Sequence, residues 1–356
     1  MKSRQQAGSV ILLVTQSFDP HADELLVLLR YMGEEPLRLN TEALPADSLL
    51  SYRFAAGSEA AVFWAPNQAD PAVIGRCSLL LDGRVIDAAQ IGSLWWRRPG
   101  GYQFGAALSP EEEILAVGET AQALQGFCLA LTASGCYWMS EPEALVRASN
   151  LPEQLRRAHH FGFALPRSLL STHPGEVRTF AQATGGRLVY RLLSANAPLP
   201  EQRRGIPTLT SAPLLEEHLA TIEEFLSVPA LFQERLQAQQ FYQVVVIGEQ
   251  VFAAASLGSL ESLPHWWSPQ VCELPYEPVT LSAELARRCL GFVRSYGLEF
   301  GVLTLALGEP ERCYFVGLDP LGSFLWLEQQ CPQMYMAEAL ARRLIAGKRS
   351  QVCGVL

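Results

Sequence analysis

The sequence predicts an α/β N-terminal domain followed by mixed α+β lobes, and three observations carry that expectation. Val10–Thr15 (VILLVT) is a continuous apolar run, the pattern of a parallel strand buried on both faces, and a helical stretch and a second strand follow it. Two apolar pairs later in the chain read as hairpins: Gln243–Ile247 with Val251–Ala255, and Gly301–Leu307 with Cys313–Leu318. At 356 residues the chain exceeds one small core, so more than one domain is expected.

The elements follow in order. After the loop Gln16–His21, Ala22–Met32 reads as a helix with Gly33 just past its end. Pro36–Asn40 is a second strand, Ala60–Trp64 and Ser78–Leu81 form a hairpin, and Gly92–Trp96 is another strand. Ser109-Pro110-Glu111-Glu112 has a serine cap, a proline in first position and acids in the first turn, and the helix it starts runs to about Thr132. These elements make an N-terminal domain over 1–135. A helical stretch from Pro142 is broken at Pro152 and resumes to His160. Strands at Ser168 and Leu188–Leu193 flank a helix at Pro174–Thr184, and Asn196–Ser211 is a polar loop rich in Pro, Gly and Arg. Leu214–Val228 reads as a helix, Ala230–Glu234 as a strand, Ser282–Tyr296 as an amphipathic helix and Met336–Ala346 as the last helix.

Composition excludes several function classes. With 49% hydrophobic and 18% charged residues the chain predicts a packed globular protein rather than disorder. A formal charge of −9 argues against a nucleic-acid partner. The eight cysteines form no C-x-x-C pair and several lie in apolar runs, so they read as buried thiols of a reducing, cytoplasmic compartment. The six histidines show no metal-site spacing, and no run approaches the ~18 apolar residues of a membrane span. Cys353-Gly354-Val355-Leu356 fits a prenylation box in form, but position 354 is not aliphatic and no polybasic segment precedes it, so no lipid anchor is expected.

The most telling stretch is Cys313–Glu328 (CYFVGLDPLGSFLWLE), an apolar strand ending in Asp319-Pro320 and turning at Gly322. Gly317 and Asp319, two apart, share a face of that strand. Together with VTQSFDPHAD at Val14–Asp23, LRLNTE at Leu37–Glu42, LWWRRPG at Leu94–Gly100 and LFQE ending at Glu234, it resembles the ATP-grasp ligases that macrocyclise ribosomal peptides, the microviridin-type graspetide synthetases. The order and spacing hold over almost the whole chain. The resemblance implies an ATP-grasp fold: a pre-ATP-grasp αβ domain, a small central subdomain over 136–229 and a C-terminal mixed-sheet subdomain over 230–356. It also implies phosphorylation of a peptide carboxylate by Mg²⁺-ATP and attack on the acyl phosphate by a hydroxyl or amine, a reaction that depends on cations at the phosphates and oxygen ligands for Mg²⁺.

The residues expected to perform that chemistry depart from the family pattern. The Asn-Lys-Leu lysine is Leu151, and the Tyr-Lys-Pro lysine is Arg191. The Glu-Leu-Arg triplet reads Phe241-Tyr242-Gln243. The first metal carboxylate is Thr304, the second is Gly317, and Asp319 replaces the asparagine. Nucleotide-pocket remnants are then Arg191, Gln233, Glu234 and Asp319, with Asp319 the one weak candidate metal ligand. The expectation is a pseudo-ligase needing no cofactor, an accessory that binds a precursor or leader peptide or a partner ligase, with no nucleic-acid or membrane partner and with homodimerisation as in related proteins. The alternatives are an active carboxylate–amine or carboxylate–hydroxyl ligase using ATP and Mg²⁺ through Arg191, Glu234 and Asp319, and a pocket reused for a less charged ligand.

Several other residues carry two readings. Arg97 and Arg98 bind an anionic peptide or pair with acids at the domain interface, with Trp95 and Trp96 in the core. Asp19 and His21 sit at the carboxyl end of a strand, where open α/β sheets place ligands, or fix the loop, with Asp23 a candidate cap. His159-His160 reads as a surface pair. Arg203 and Arg204, with Arg187, grip an acidic peptide or are solvated. His265-Trp266-Trp267 offers peptide anchors or core. No Ser/His/Asp arrangement can be assembled, and Cys136 and Cys289 read as inert.

Overall fold

The computed structural model describes residues 9–53, 76–105, 107–193, 211–226, 228–236, 238–257, 274–308 and 312–350. Contacts gather the chain into two units, Met1–Met139 with Ala337–Leu356, and Ser140–Met336.

In the first unit the chain runs β1 (Val10–Thr15), α1 (Pro20–Tyr31), β2 (Leu37–Asn40), β3 (Leu49–Arg53), β4 (Arg76–Leu81), β5 (Arg84–Asp87), β6 (Ile91–Trp96), α2 (Pro110–Ala133) and β7 (Tyr137–Trp138). The parallel sheet has the order β2-β1-β6-β7. Its central strand is buried from Ile11 to Val14, as its unbroken apolar run requires. Helix α1 starts two residues earlier than the expected Ala22. Asp19, not Asp23, is its N-cap, accepting the His21 N–H at 3.1 Å with Pro20 in the first turn. Asp23 instead pairs with Arg38.

The second sheet is antiparallel in the order β3-β4-β5. The expected partner of β4, Ala60–Trp64, lies outside the described residues. Among the described residues β4 pairs with β3 and with β5, across a two-residue turn in which Asp82 (φ 49°) and Gly83 (φ 71°) are both left-handed, the geometry that suits the twist of a hairpin. Ser109 and Glu112 close a capping box on α2, as expected. Leu124, Phe127 and Leu131 of α2 join the core, while Ile114 (75% exposed) and Leu115 (65%) face solvent. This helix is long and apolar enough to cross a membrane by length and composition, although Glu119, Thr120 and Gln122 interrupt its apolar run.

The second unit contains α3 (Pro142–Ala148), α4 (Leu151–His160), β8 (Ser168–Ser171), α5 (Pro174–Ala183), β9 (Leu188–Arg191), β10 (Ser211–Leu214), the short helices α6 (Glu216–Ala220) and α7 (Ile222–Phe225), β11 (Ala230–Glu234), β12 (Gln240–Ile247), β13 (Gln250–Ser256), β14 (Tyr276–Pro278), α8 (Ala283–Arg294), β15 (Phe300–Gly308), β16 (Arg312–Asp319) and α9 (Leu325–Gln330). α10 (Met336–Ser350) ends the described chain. Two antiparallel sheets result, β10-β9-β11-β8 and β14-β13-β12-β15-β16. The strand that opens the expected C-terminal lobe, β11, is hydrogen-bonded between β8 and β9 of the central one.

Two local expectations are corrected. Pro152 does not break a helix but opens α4, whose cap is Asn150, accepting the Glu153 N–H at 3.0 Å. The single helix expected over Leu214–Val228 gives way to strand β10, in which Leu214 pairs with Leu188, followed by two short helices. Cross-strand pairing there overrides helix propensity. The loop expected at Asn196–Ser211 lies outside the described residues apart from Ser211, which is in β10.

β16 is an edge strand of its sheet, and its open hydrogen-bonding groups are covered from two places. The Ala164 N–H donates to the Cys313 carbonyl at 3.3 Å, and the Phe315 N–H donates to the Ala164 carbonyl at 2.8 Å. Farther along, the buried Gln154 carboxamide acts as a substitute peptide group. Its Oε1 accepts the Leu318 N–H at 3.0 Å, and its Nε2 donates to the Leu318 carbonyl at 2.8 Å and to the Ala148 carbonyl at 2.5 Å. Gln154→Leu keeps the volume but strands these buried groups, and should cost about 2–4 kcal/mol. Urea unfolding measures it; an unchanged midpoint would show that Gln154 does not hold the edge.

Candidate functional site

Register in the five-stranded sheet brings the departures together. Gln243 on β12 pairs with Thr304 on β15, and Thr304 pairs with Gly317 on β16. Residues directly opposite one another share a face, and so do residues two apart on a strand. Phe241, Gln243, Thr304, Gly317 and Asp319 therefore lie on one face of the sheet. Phe241 is buried opposite Ala306. The Thr304 hydroxyl donates to Gln243 Oε1 at 3.1 Å. Asp319 Oδ1 accepts the Leu321 N–H at 2.9 Å, and its carbonyl accepts the Gly322 N–H at 3.2 Å, so this aspartate shapes the turn after β16. Gly322 is required there, because a Cβ would overlap Val302.

A bulge sits beside this row. Thr304 pairs with Gly317 but Leu305 pairs with Phe315, so Val316 is the extra residue. Its carbonyl accepts Arg191 Nη1 at 3.0 Å. The same guanidinium donates to Gln233 Oε1 at 2.8 Å, and Gln233 Nε2 donates to Ser168 Oγ at 2.8 Å. Arg191 is 3% exposed and Gln233 0%. Burial pushes the Arg191 pKa down to about 9, which leaves it charged at neutral pH. One buried cation thus ties β9 and β11 of the four-stranded sheet to β16 of the five-stranded sheet.

Glu234 ends β11 with its N–H on the Arg167 carbonyl at 2.8 Å and its carboxylate 3.9 Å from Arg187. Leu151 is the first residue of α4 and is buried. Among the described residues no three His, Cys, Asp or Glu side chains gather as a metal site.

In the first unit the Asp19 loop and the end of β6 form a second polar cluster. Thr15 Oγ1 donates to Asp19 Oδ2 at 2.5 Å, and Arg97 Nε stands 3.9 Å from the same oxygen. Arg97 is 1% exposed, with its guanidinium 5.6 Å from the centre of the buried Trp95 ring. Arg97 thus pairs with an acid inside the first unit rather than at a domain interface, and its side chain is not on the surface; Arg98 and Trp96 are half-buried. Burial alone raises the Asp19 pKa, but His21, Arg97 and Thr15 together outweigh it and hold the carboxyl well below the usual range. Burial lowers the pKa of His21 and Arg97 adds to that, against the opposing pull of Asp19.

His159 and His160 are exposed at the end of α4. Cys136 and Cys289 are free and buried, with thiol pKa values pushed up to about 12 by burial, the inert state expected of them. Arg203, Arg204, His265, Trp266 and Trp267 lie outside the described residues. The site residues the sequence reading passed over are Gln154 and Val316. Gln154 had a signal: it is the polar member of the buried stripe Leu151, Gln154, Leu155 and Ala158. A one-residue bulge at Val316 leaves no such trace.

His21 sets a pH dependence. The unfolded chain binds this proton near pH 6.5, whereas the folded chain binds it only at lower pH. Its contribution to stability is therefore complete above that value and declines as pH falls below it. Urea midpoints at pH 7.5 and 5.5 should differ less in His21→Gln than in the parent; an equal difference would contradict the burial of a neutral imidazole.

No protein-family model matches the sequence, and no curated protein matches it. Solved structures do match. The macrocyclase MdnC bound with precursor peptide MdnA, from Microcystis aeruginosa MRC, superposes with a TM-score of 0.77 at 20% identity, over 95% of this chain and 99% of that one. A Chryseobacterium gregarium RiPP-associated ATP-grasp ligase in complex with ADP and a leader and core peptide gives 0.78 at 20% identity, over 95% and 97%. The macrocyclase MdnB from Microcystis aeruginosa MRC gives 0.74 at 24% identity, over 95% and 99%. This chain has the ATP-grasp fold, in the form that peptide-maturing ligases share, along nearly its whole length.

Proposed function

We propose that this protein is a member of the graspetide-synthetase family that has lost ligation and serves ribosomal-peptide maturation as an accessory, binding a precursor or leader peptide or a partner ligase. The observation that carries the reading is the row Gln243–Thr304–Gly317 with Arg191 lodged beside it. The donors present do not fit a Mg²⁺ ion. Mg²⁺ demands an octahedron of oxygen ligands at about 2.0–2.1 Å. Here the row offers one threonine hydroxyl, already given to Gln243, and one aspartate, already holding a turn. Gly317 offers no side-chain ligand. Neither ATP nor Mg²⁺ is therefore a cofactor in this reading.

Peptide binding is supported by the neighbours, since MdnC was crystallised with its precursor peptide and the Chryseobacterium ligase with leader and core peptides. For pairing with a second copy or with a ligase, the exposed apolar residues Ile114 and Leu115 on α2 are the surface this reading assigns.

The test is ADP release and peptide mass with ATP, Mg²⁺ and any precursor-like peptide found in the gene neighbourhood, alone and with any intact ATP-grasp ligase found there. The expected result is ADP release at background for this protein alone, an unmodified peptide, and co-purification with the peptide or the ligase. Peptide-stimulated ADP release with loss of water from the peptide would establish the active-ligase alternative, with Arg191, Glu234 and Asp319 as its remaining polar groups. Binding to neither peptide nor ligase would end the accessory reading.

A further inference from the structure

Away from the sheet row, a groove of about 720 Å³ lies within the second unit between the end of α4, the start of α8 and the start of β16. His159, Phe163, Ser282, Arg288, Arg312 and Cys313 are among its lining residues. Its volume falls within the range of about 300–1,000 Å³ typical of ligand pockets.

The chemistry of the groove opposes that of the whole molecule, whose formal charge is −9. Arg288 is fixed there. Its Nη1 donates to the Gly162 carbonyl at 2.9 Å, its Nη2 donates to Glu284 at 2.6 Å, and its guanidinium stands 5.6 Å from the centre of the Phe163 ring. Gly162 adopts a left-handed φ of +77° at the turn that presents this carbonyl. Arg288 thereby balances Glu284, the acid of the lining, and retains further N–H donors in its rigid fork. Arg312 adds an exposed guanidinium, 5.2 Å from the centre of the Tyr314 ring on the edge strand, and His159 adds an imidazole. Ser282 caps α8, so the positive end of that helix dipole lies at the groove as well.

We propose that this groove binds an acidic segment of a peptide, its carboxylates taken by Arg288 and Arg312. A pre-positioned guanidinium suits a carboxylate because two parallel N–H donors meet two oxygens. The groove is open to solvent, so its arginines can be reached by a peptide. The inference deepens the peptide-binding reading above and rests on it, and it is distinct from the emptied nucleotide face.

Fluorescence anisotropy with a fluorescein-labelled hexaglutamate peptide at low salt tests it on the full-length protein. Saturable binding is expected, weakened about tenfold or more by Arg312→Glu. Arg312 is exposed, so this variant should fold as the parent does; Arg288→Gln should weaken binding too. Arg342→Glu reverses an exposed charge on α10 far along the chain and should leave binding unchanged. No binding by the parent, or equal losses in the Arg312 and Arg342 variants, would overturn the groove. If the precursor peptide still bound Arg312→Glu at full strength, the groove would be excluded as its site while the accessory reading stood.

Discussion

A buried guanidinium is the constraint from which the second unit of this molecule is best understood. Arg191 carries its charge into an interior where an unsolvated ion is costly, and it is tolerated because Gln233 and the Val316 carbonyl accept from it. The Val316 carbonyl is available because β16 bulges by one residue against β15. Gln233 is in turn held by Ser168, so β8, β9, β11 and β16 converge on one hydrogen-bonded group. The Nη1 of this cation is already given to protein acceptors.

The surrounding substitutions agree with that arrangement. Phe241 is buried, Gly317 has no side chain, and Thr304 and Gln243 satisfy each other across the strands. Buried polar groups left unpaired would be costly, and the row avoids that cost by pairing within itself. The edge of the same sheet is treated alike. Gln154 supplies amide groups to Leu318 that a further strand would otherwise supply, and Ala164 does the same at Cys313 and Phe315.

Much of the fold was legible in the sequence, and the physical reasons are specific. The VILLVT run could only be a strand buried on both faces, and Ser109-Pro110-Glu111-Glu112 encoded a helix start in its cap and charges. The Asp82-Gly83 turn was passed over although the pair tolerates two left-handed positions, because β5 is so short that its apolar pattern gives little signal. β10 was hidden because Leu214 belongs to a stretch with helical composition and becomes a strand only by pairing with Leu188. For the site, the individual departures were visible as residues. Their meeting in one row was not, since it depends on registers across three strands and a bulge that no local pattern records. For Arg97 an acid partner was expected at a domain interface, whereas Asp19 supplies it inside the first unit beside the buried Trp95.

An ATP-grasp scaffold extends along nearly the whole chain at about one-fifth identity to its solved neighbours, and on the proposed reading the face around Thr304 and Gly317 no longer takes nucleotide. Isothermal titration of the full-length protein with ATP in the presence and absence of Mg²⁺ tests this most directly. The account predicts no Mg²⁺-dependent heat of binding at micromolar nucleotide; a micromolar, Mg²⁺-dependent affinity would contradict it.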